Sequence, residues 1–311
     1  MTRLAGLLAL SGLAILSLLI GVIDIRQAPD AAALLAISRF PRTAAALIAG
    51  AALAVAGTIM QMLVRNRFVE PMTAGTGQGA ALGILVATIA APGAPLFVKM
   101  TLAAATALAA SFGFLALVRR LPPTQPMLVP LVGLVYGGVI GAAVTFFAYQ
   151  SDLLQFIEVW MTGEFSGVLQ GRYELLWIAA AVALLSYLIA DRFVIVGMGR
   201  DTSTNLGLNY DRVVLLGLLA ISVVTALTVV TVGMIPFVGL VVPNIVSRHL
   251  GDDLRRALPV TAMLGAGLVL ACDMLGRVLR YPFEIPVGTV FGVLGTALFL
   301  WLLYARPAHA R

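Results

Sequence analysis

Long apolar runs alternate with short polar breaks along the whole chain. The runs fall at about Leu4–Ile23, Ala44–Val64, Thr73–Ala91, Leu96–Val118 and Leu128–Tyr149, then at Leu175–Ala190, Val213–Val232, Phe237–Val246, Leu258–Leu279 and Val287–Tyr304. None shows the strict apolar–polar alternation of a membrane β-strand, so each predicts a helix. Most approach 20 residues, the length that crosses a bilayer core. Phe237–Val246 is short for a span and is interrupted by Pro236 and Pro243. It predicts a broken or partly re-entrant segment. Leu4–Ile23 follows a single Arg3 and ends at Gly21-Val22-Ile23-Asp24, unlike a cleavage site. It reads as a first membrane helix rather than a signal peptide.

Composition supports the same picture. The chain is 61% hydrophobic and 11% charged, whereas soluble domains carry about 25% charged residues. The expectation is an all-α integral membrane protein of about ten helices, with residues 1–311 forming one transmembrane domain. Gly50, Gly57, Gly75, Gly79 and Gly83 recur near helical spacing, as expected where helix backbones pack closely in lipid. Arg42 opens a run with Ala49, Gly50 and Gly57, and Arg212 opens a comparable run before the seventh helix. If helices 2–5 and 7–10 are repeats, five spans separate them and the second copy is inverted, a transporter architecture.

The net charge of +6 does not predict a nucleic-acid partner, because basic residues collect in cytoplasmic loops. Ten spans with the N-terminus inside place Arg65, Arg67, Arg119, Arg120, Arg192, Arg200, Arg212, Arg248, Arg255 and Arg256 on the cytoplasmic side. The smaller outer set is Arg26, Arg39, Arg42, Lys99, Arg172, Arg277 and Arg280. Both termini are therefore expected inside. Cys272 is the only cysteine, and His249 and His309 are far apart, so neither an internal disulfide nor a metal site is expected. No cofactor is expected either.

Catalytic patterns are missing. There is no GxSxG and no HExxH, and Lys99, the only lysine, sits between Val98 and Met100. The Gly-Lys-Ser/Thr of a phosphate-binding loop is therefore absent. Asp273 lies four residues before Arg277, so the two share a helix face as a local ion pair or part of a relay. Glu158 and Glu284 fall in outer loops or short re-entrant pieces. This is little support for a gradient-driven carrier, which needs embedded titratable groups.

Two kinds of polar island remain. On the outer side, Ser38–Thr43 (SRFPRT) sets Arg39 and Arg42 before the second helix, and Arg277 and Arg280 end the ninth. They act either as interfacial snorkelers or, as a set, as a dock for an acidic partner. On the inner side lie RNRFVEP (Arg65–Pro71), VGMGRDTSTNLGLNYDR (Val196–Arg212) and RHLGDDLRR (Arg248–Arg256). Within Val196–Arg212, Asp201, Thr202 and Ser203 are N-cap types and Gly207 suits a C-cap. One or two short helices are predicted, serving protein docking or a solvated connection.

From Arg39 to Tyr304 the chain resembles the permease subunits of ABC importers for iron–siderophore, haem and cobalamin. The carrying motifs are RFPRTAAALIAGAALAVAGTIMQ, RNRFVEP with GTGQGAALG, WMTGEFSGV, GMGRDTSTNLGLN, IPFVGLVVPNIVSRHLGDDLRRALP, ACDMLGR and FEIPVGTVFGVLGTALFLWLL. WMTGEFSGV and GMGRDTSTNLGLNYDR look most like the ferric-siderophore branch, especially catechol-type permeases. The resemblance implies a non-catalytic subunit of ten helices, a second permease subunit, identical or homologous, two cytosolic ATPase subunits and a substrate-binding protein. It implies docking of that protein on Arg39, Arg42 and Arg277, and coupling to the ATPase through Gly199, Arg200, Asp201, Thr204, Asn205, Leu206 and Gly207. A cytoplasmic gate is implied near Asn66, Phe68 and Gln125. Two departures touch these sites: Asn66-Arg67-Phe68 stands where relatives often have Asn-Pro-Leu, and Pro243-Asn244-Ile245 where many have Pro-His-Ile. Haem or cobalamin as cargo is the alternative within this architecture, and a secondary carrier the alternative outside it.

Overall fold

The computed structural model describes residues 2–21, 30–118, 120–121, 128–251 and 253–304. The elements are helical throughout: α1 (Thr2–Leu19), α2 (Ala31–Leu34), α3 (Phe40–Val64), α4 (Thr76–Ala90), α5 (Leu96–Val118), α6 (Leu128–Gln150), α7 (Leu154–Met161), α8 (Leu175–Leu188), α9 (Ala190–Met198), α10 (Arg200–Asn205), α11 (Tyr210–Val232), α12 (Val238–Leu250), α13 (Leu254–Leu279) and α14 (Val287–Tyr304). A π-helical turn, Leu35–Arg39, fuses α2 to α3, and a 3-10 turn, Pro71–Ala74, leads into α4. Among the described residues, six helices are long and apolar enough to cross a membrane, or seven if the bent pair α8 and α9 is one span. The remaining apolar runs of the sequence are shorter helices, α1, α4 and α12.

Helices α3 and α11 form the buried centre. Glycines set the spacing around α3. A Cβ on Gly50 would collide with the Gly265 carbonyl of α13, and one on Gly57 with the Gly239 backbone of α12. Gly79 and Gly83 make room for the Thr106 and Ala103 region of α5 in the same way. This is the close approach expected of small residues in lipid. Gly75 serves a turn instead, because its φ of 75° caps the 3-10 turn in the left-handed region, which favours glycine. Along α11, Thr225, Thr228 and Thr231 are buried, and each Oγ1 donates to the carbonyl four residues earlier. Their hydroxyls therefore need no partner outside the helix.

The sequence runs differ from the structure in three places. The sixth run stops at the bend: α8 ends at Leu188 and α9 continues from Ala190 to Met198 at an angle of 62°, because Ile189 leaves helical geometry. The apolar side of α9 then buries Phe193 and Val196 under the bundle. Helix α7 has only eight residues, too few for an apolar run to stand out. The second helix begins earlier than predicted, at Ala31, where the Asp30 carboxylate accepts from Ala33 N at 2.9 Å.

Non-helical backbone crosses the interior beside α7. Met234 N donates to Met161 O at 3.0 Å, Glu164 N to Val232 O at 2.9 Å, and Gly288 N to Gly163 O at 2.8 Å. Irregular backbone buried in a helical bundle must find its hydrogen bonds within the protein, and these three stretches satisfy one another. Helix α12 starts next to them, and the Glu70 carboxylate accepts from Phe237 N at 3.2 Å. A carboxylate at a helix N-terminus complements both the free N–H groups and the dipole.

Candidate functional site

Three polar regions lie along the bundle. The first joins the C-terminus of α1 to α3, α13 and the 280–286 loop. The end of α1 presents carbonyls without intrahelical donors, and two arginines supply them. Arg39 Nη1 donates to Leu18 O at 2.7 Å and Leu19 O at 3.0 Å. Arg277 Nη1 donates to Ser17 O at 3.1 Å and Ile20 O at 2.9 Å, and its Nη2 to Ser17 Oγ at 2.7 Å. Asp273 then bridges two guanidiniums, Arg42 at 2.8 Å and Arg277 at 2.7 Å. Arg42 also reaches Glu284 at 2.9 Å.

This arrangement changes the picture of three surface arginines. Arg39 and Arg277 are buried, and both are occupied in holding α1. Arg42 keeps 15% of its side chain exposed and Glu284 26%, against 3% for Asp273. The four-residue spacing foretold the pairing of Asp273 with Arg277. It held no sign of Arg42, which is 231 residues away.

The second region is a cavity of about 780 Å³ at the irregular crossing. Glu70, Gln78, Met161, Met234 and glycines of α6 line it. The methionines give it an adaptable apolar wall. In the adjoining 162–174 loop, Arg172 stacks over Trp160 at 5.3 Å. Burial lowers its pKa, and the charge of Glu164 partly offsets that. Sequence reasoning passed over Glu70, although RNRFVEP contains it.

The third region is the arginine-rich end. Helix α10 opens after Gly199, at φ 124°, and closes at Gly207, at φ 79°. Gly207 N donates to Thr204 O at 2.9 Å and Leu208 N to Ser203 O at 2.9 Å, a glycine-terminated C-cap. The expected N-cap residues Asp201, Thr202 and Ser203 instead lie inside the helix. Ser203 is fully buried, and its Oγ donates to Gly199 O at 2.6 Å and Ile195 O at 3.0 Å, tying α10 to α9. Arg200, Asp201, Thr204, Asn205, Leu206 and Gly207 are exposed. Arg200 pairs with Asp211 and lies over the Tyr210 ring at 5.5 Å. Asn209 caps α11 by accepting from Arg212 N at 3.1 Å.

Between α3, α9 and α12, a cavity of about 420 Å³ is lined in part by Gln61, Arg65, Gly197, Asn244 and Ser247. Asn66 is buried, and its Oδ1 accepts from Phe68 N at 2.8 Å. Phe68 meets Phe299 of α14 edge-on at 6.1 Å. Gln125, the third expected gate residue, lies outside the described residues.

Comparison with known proteins agrees with this architecture. The sequence model of the FecCD transport family matches residues 4–305. The petrobactin import system permease protein YclN of Bacillus subtilis is 43% identical over 304 residues, covering 96% of each chain. The ferric-anguibactin transport system permease protein FatD of Vibrio anguillarum is 43% identical over 266 residues, 86% of this chain and 85% of that protein. A solved metal-chelate type ABC transporter in an inward-facing conformation shares the fold, with a TM-score of 0.85, 24% identity and coverage of 97% and 98%. Matched along nearly its whole length, the chain belongs to the FecCD transport family.

Proposed function

We propose that this chain is the permease subunit of an ATP-driven importer of ferric siderophores, set in the bacterial cytoplasmic membrane with both termini in the cytoplasm. The observation that carries the reading is α10, a short exposed helix fastened by buried Ser203 at the arginine-rich end. The chain has no Gly-Lys-Ser/Thr phosphate-binding loop of its own, so its energy comes from another subunit or from an ion gradient, and the exposed helix favours the subunit. An exposed, rigidly held helix suits contact with a cytosolic ATPase. Siderophore as cargo rests on the names of the petrobactin and anguibactin relatives. A second permease copy would pack on α6 and α14, whose apolar windows are 22% and 17% buried, the lowest among the spans. The 780 Å³ cavity between these helices and the central crossing would then form half of the path. The outer ion-pair platform would receive the binding protein, with Arg42 as the accessible arginine and Arg39 and Arg277 holding its shape.

Proteoliposomes containing the permease, its ATPase and its binding protein test the reading. Uptake of iron-loaded petrobactin should require ATP hydrolysis and survive an uncoupler. Uptake without an ATPase that collapses with an uncoupler would refute it in favour of a gradient-driven carrier.

A further inference from the structure

The outer platform holds three arginines and two carboxylates with unequal grips. Asp273 is deeply buried and accepts from Arg42 Nη2 at 2.8 Å, Arg42 Nε at 3.3 Å and Arg277 Nη2 at 2.7 Å. Two cations satisfy it at once, so it is a permanent part of the fold. Glu284 is held by much less. Its Oε1 accepts from Arg42 Nη1 at 2.9 Å. Its Oε2 is buried without a hydrogen-bond partner among the described residues. A carboxylate with one satisfied oxygen gains less from its site than it would with both.

Position reinforces this asymmetry. Glu284 stands on the surface loop between α13 and α14, where Tyr281 and Phe283 are 65% and 68% exposed. The loop is anchored next to Glu284 by Ile285 N donating to Gly276 O at 3.0 Å. Arg42 spends its Nε and Nη2 on Asp273, leaving Nη1 as the donor nitrogen directed at the loop. A carboxylate on a docking protein would therefore meet Arg42 at the site where Glu284 already sits.

We propose that Glu284 is a built-in competitor: its carboxylate occupies the Arg42 Nη1 position that an acidic side chain of the substrate-binding protein takes on docking. Release of Glu284 is then a step in complex formation, and its hold on Arg42 tempers docking affinity. The inference rests on the proposed docking role of this face. It adds that the face is partly neutralised by the permease itself. The occupant is a carboxylate because the partly exposed donor is a guanidinium. The aromatic rim at Tyr281 and Phe283 suits a protein surface, since aromatic residues are enriched at interfaces.

The test uses the assembled permease–ATPase complex in nanodiscs and the substrate-binding protein encoded with it, loaded with ferric siderophore. Affinity is measured for wild type, Glu284→Gln, Glu284→Asp and Arg42→Gln. Removing a partly exposed competing ion pair should tighten binding about two- to fivefold in Glu284→Gln. Glu284→Asp should stay near wild type, and Arg42→Gln should weaken binding. Thermal midpoints of all four complexes separate loss of fold from loss of contact. Unchanged or weaker binding in Glu284→Gln, with Arg42→Gln still weakened, overturns the competitor and leaves the docking face standing. Binding unaffected by both Gln variants overturns the competitor and the docking face together.

Discussion

Asn244 Nδ2 donates to the carbonyl oxygen of Arg67 at 2.8 Å and to that of Leu240 at 2.7 Å. The segments Asn66-Arg67-Phe68 and Pro243-Asn244-Ile245 are thus joined in space. Asn244 stands in α12, and Arg67 follows Asn66 in the segment expected at the gate. Loss of this amide should loosen that segment. Asn244→Ala removes two hydrogen bonds, each worth about 1 kcal/mol net, and should lower the thermal midpoint of the purified permease. Asn244→His retains a ring N–H donor and should keep ATP-driven uptake closer to wild type. Equal stability in the Ala variant would show that the bond contributes nothing.

Helix α10 separates anchoring from presentation. Leu206 is 60% exposed, and it closes the helix through its backbone N–H, which donates to Thr202 O at 3.1 Å and is kept in any variant other than proline. Leu206→Glu should leave membrane insertion and thermal stability unchanged while sharply reducing copurification of the ATPase. Ser203→Ala removes the bond to Ile195 O and should reduce copurification less. Normal copurification and uptake in Leu206→Glu would move the ATPase contact elsewhere.

The crossing of α3 over α12 depends on missing side chains. Gly57→Ala pushes a methyl into the Gly239 backbone and should destabilise the bundle by about 1–3 kcal/mol. Gly12→Ala on α1 meets nothing within 4 Å and should behave as wild type. Thermal unfolding in detergent compares the two, and a Gly57→Ala protein as stable as Gly12→Ala would contradict the packing.

Asp273 neutralises the buried guanidinium of Arg277 and the partly exposed one of Arg42. Asp273→Asn leaves Arg42 and Arg277 facing each other without that charge, and breaking a buried pair costs about 3–5 kcal/mol. The variant should show low yield and a markedly lower thermal midpoint, even with no binding protein present. A stable variant would mean that the network serves docking alone.

How far the sequence could be read depended on range. Apolar runs declared the long helices because burial in lipid constrains every residue of a span. Gly50, Gly57, Gly79 and Gly83 declared close packing because helical periodicity is local. The Asp273–Arg277 pair was visible for the same reason, as both lie on one face of one helix. Helix α7 was not visible, since eight residues leave too little pattern, and α9 was not, because Asp191 and Arg192 in its first turn made Ala190 look like the end of the span.

By itself, the sequence determined a multi-pass helical protein without a phosphate-binding loop, with polar islands at Arg65–Pro71, Val196–Arg212 and Arg248–Arg256. Hydropathy and missing motifs are properties of residue order. Only the tertiary structure decided that Arg39 and Arg277 are buried caps of α1, that Glu70 caps α12, and that Arg42 is shared between Asp273 and Glu284. Those partners are distant along the chain. Charges and helix ends with no water to satisfy them must find partners wherever packing brings them, and packing is a property of the whole bundle.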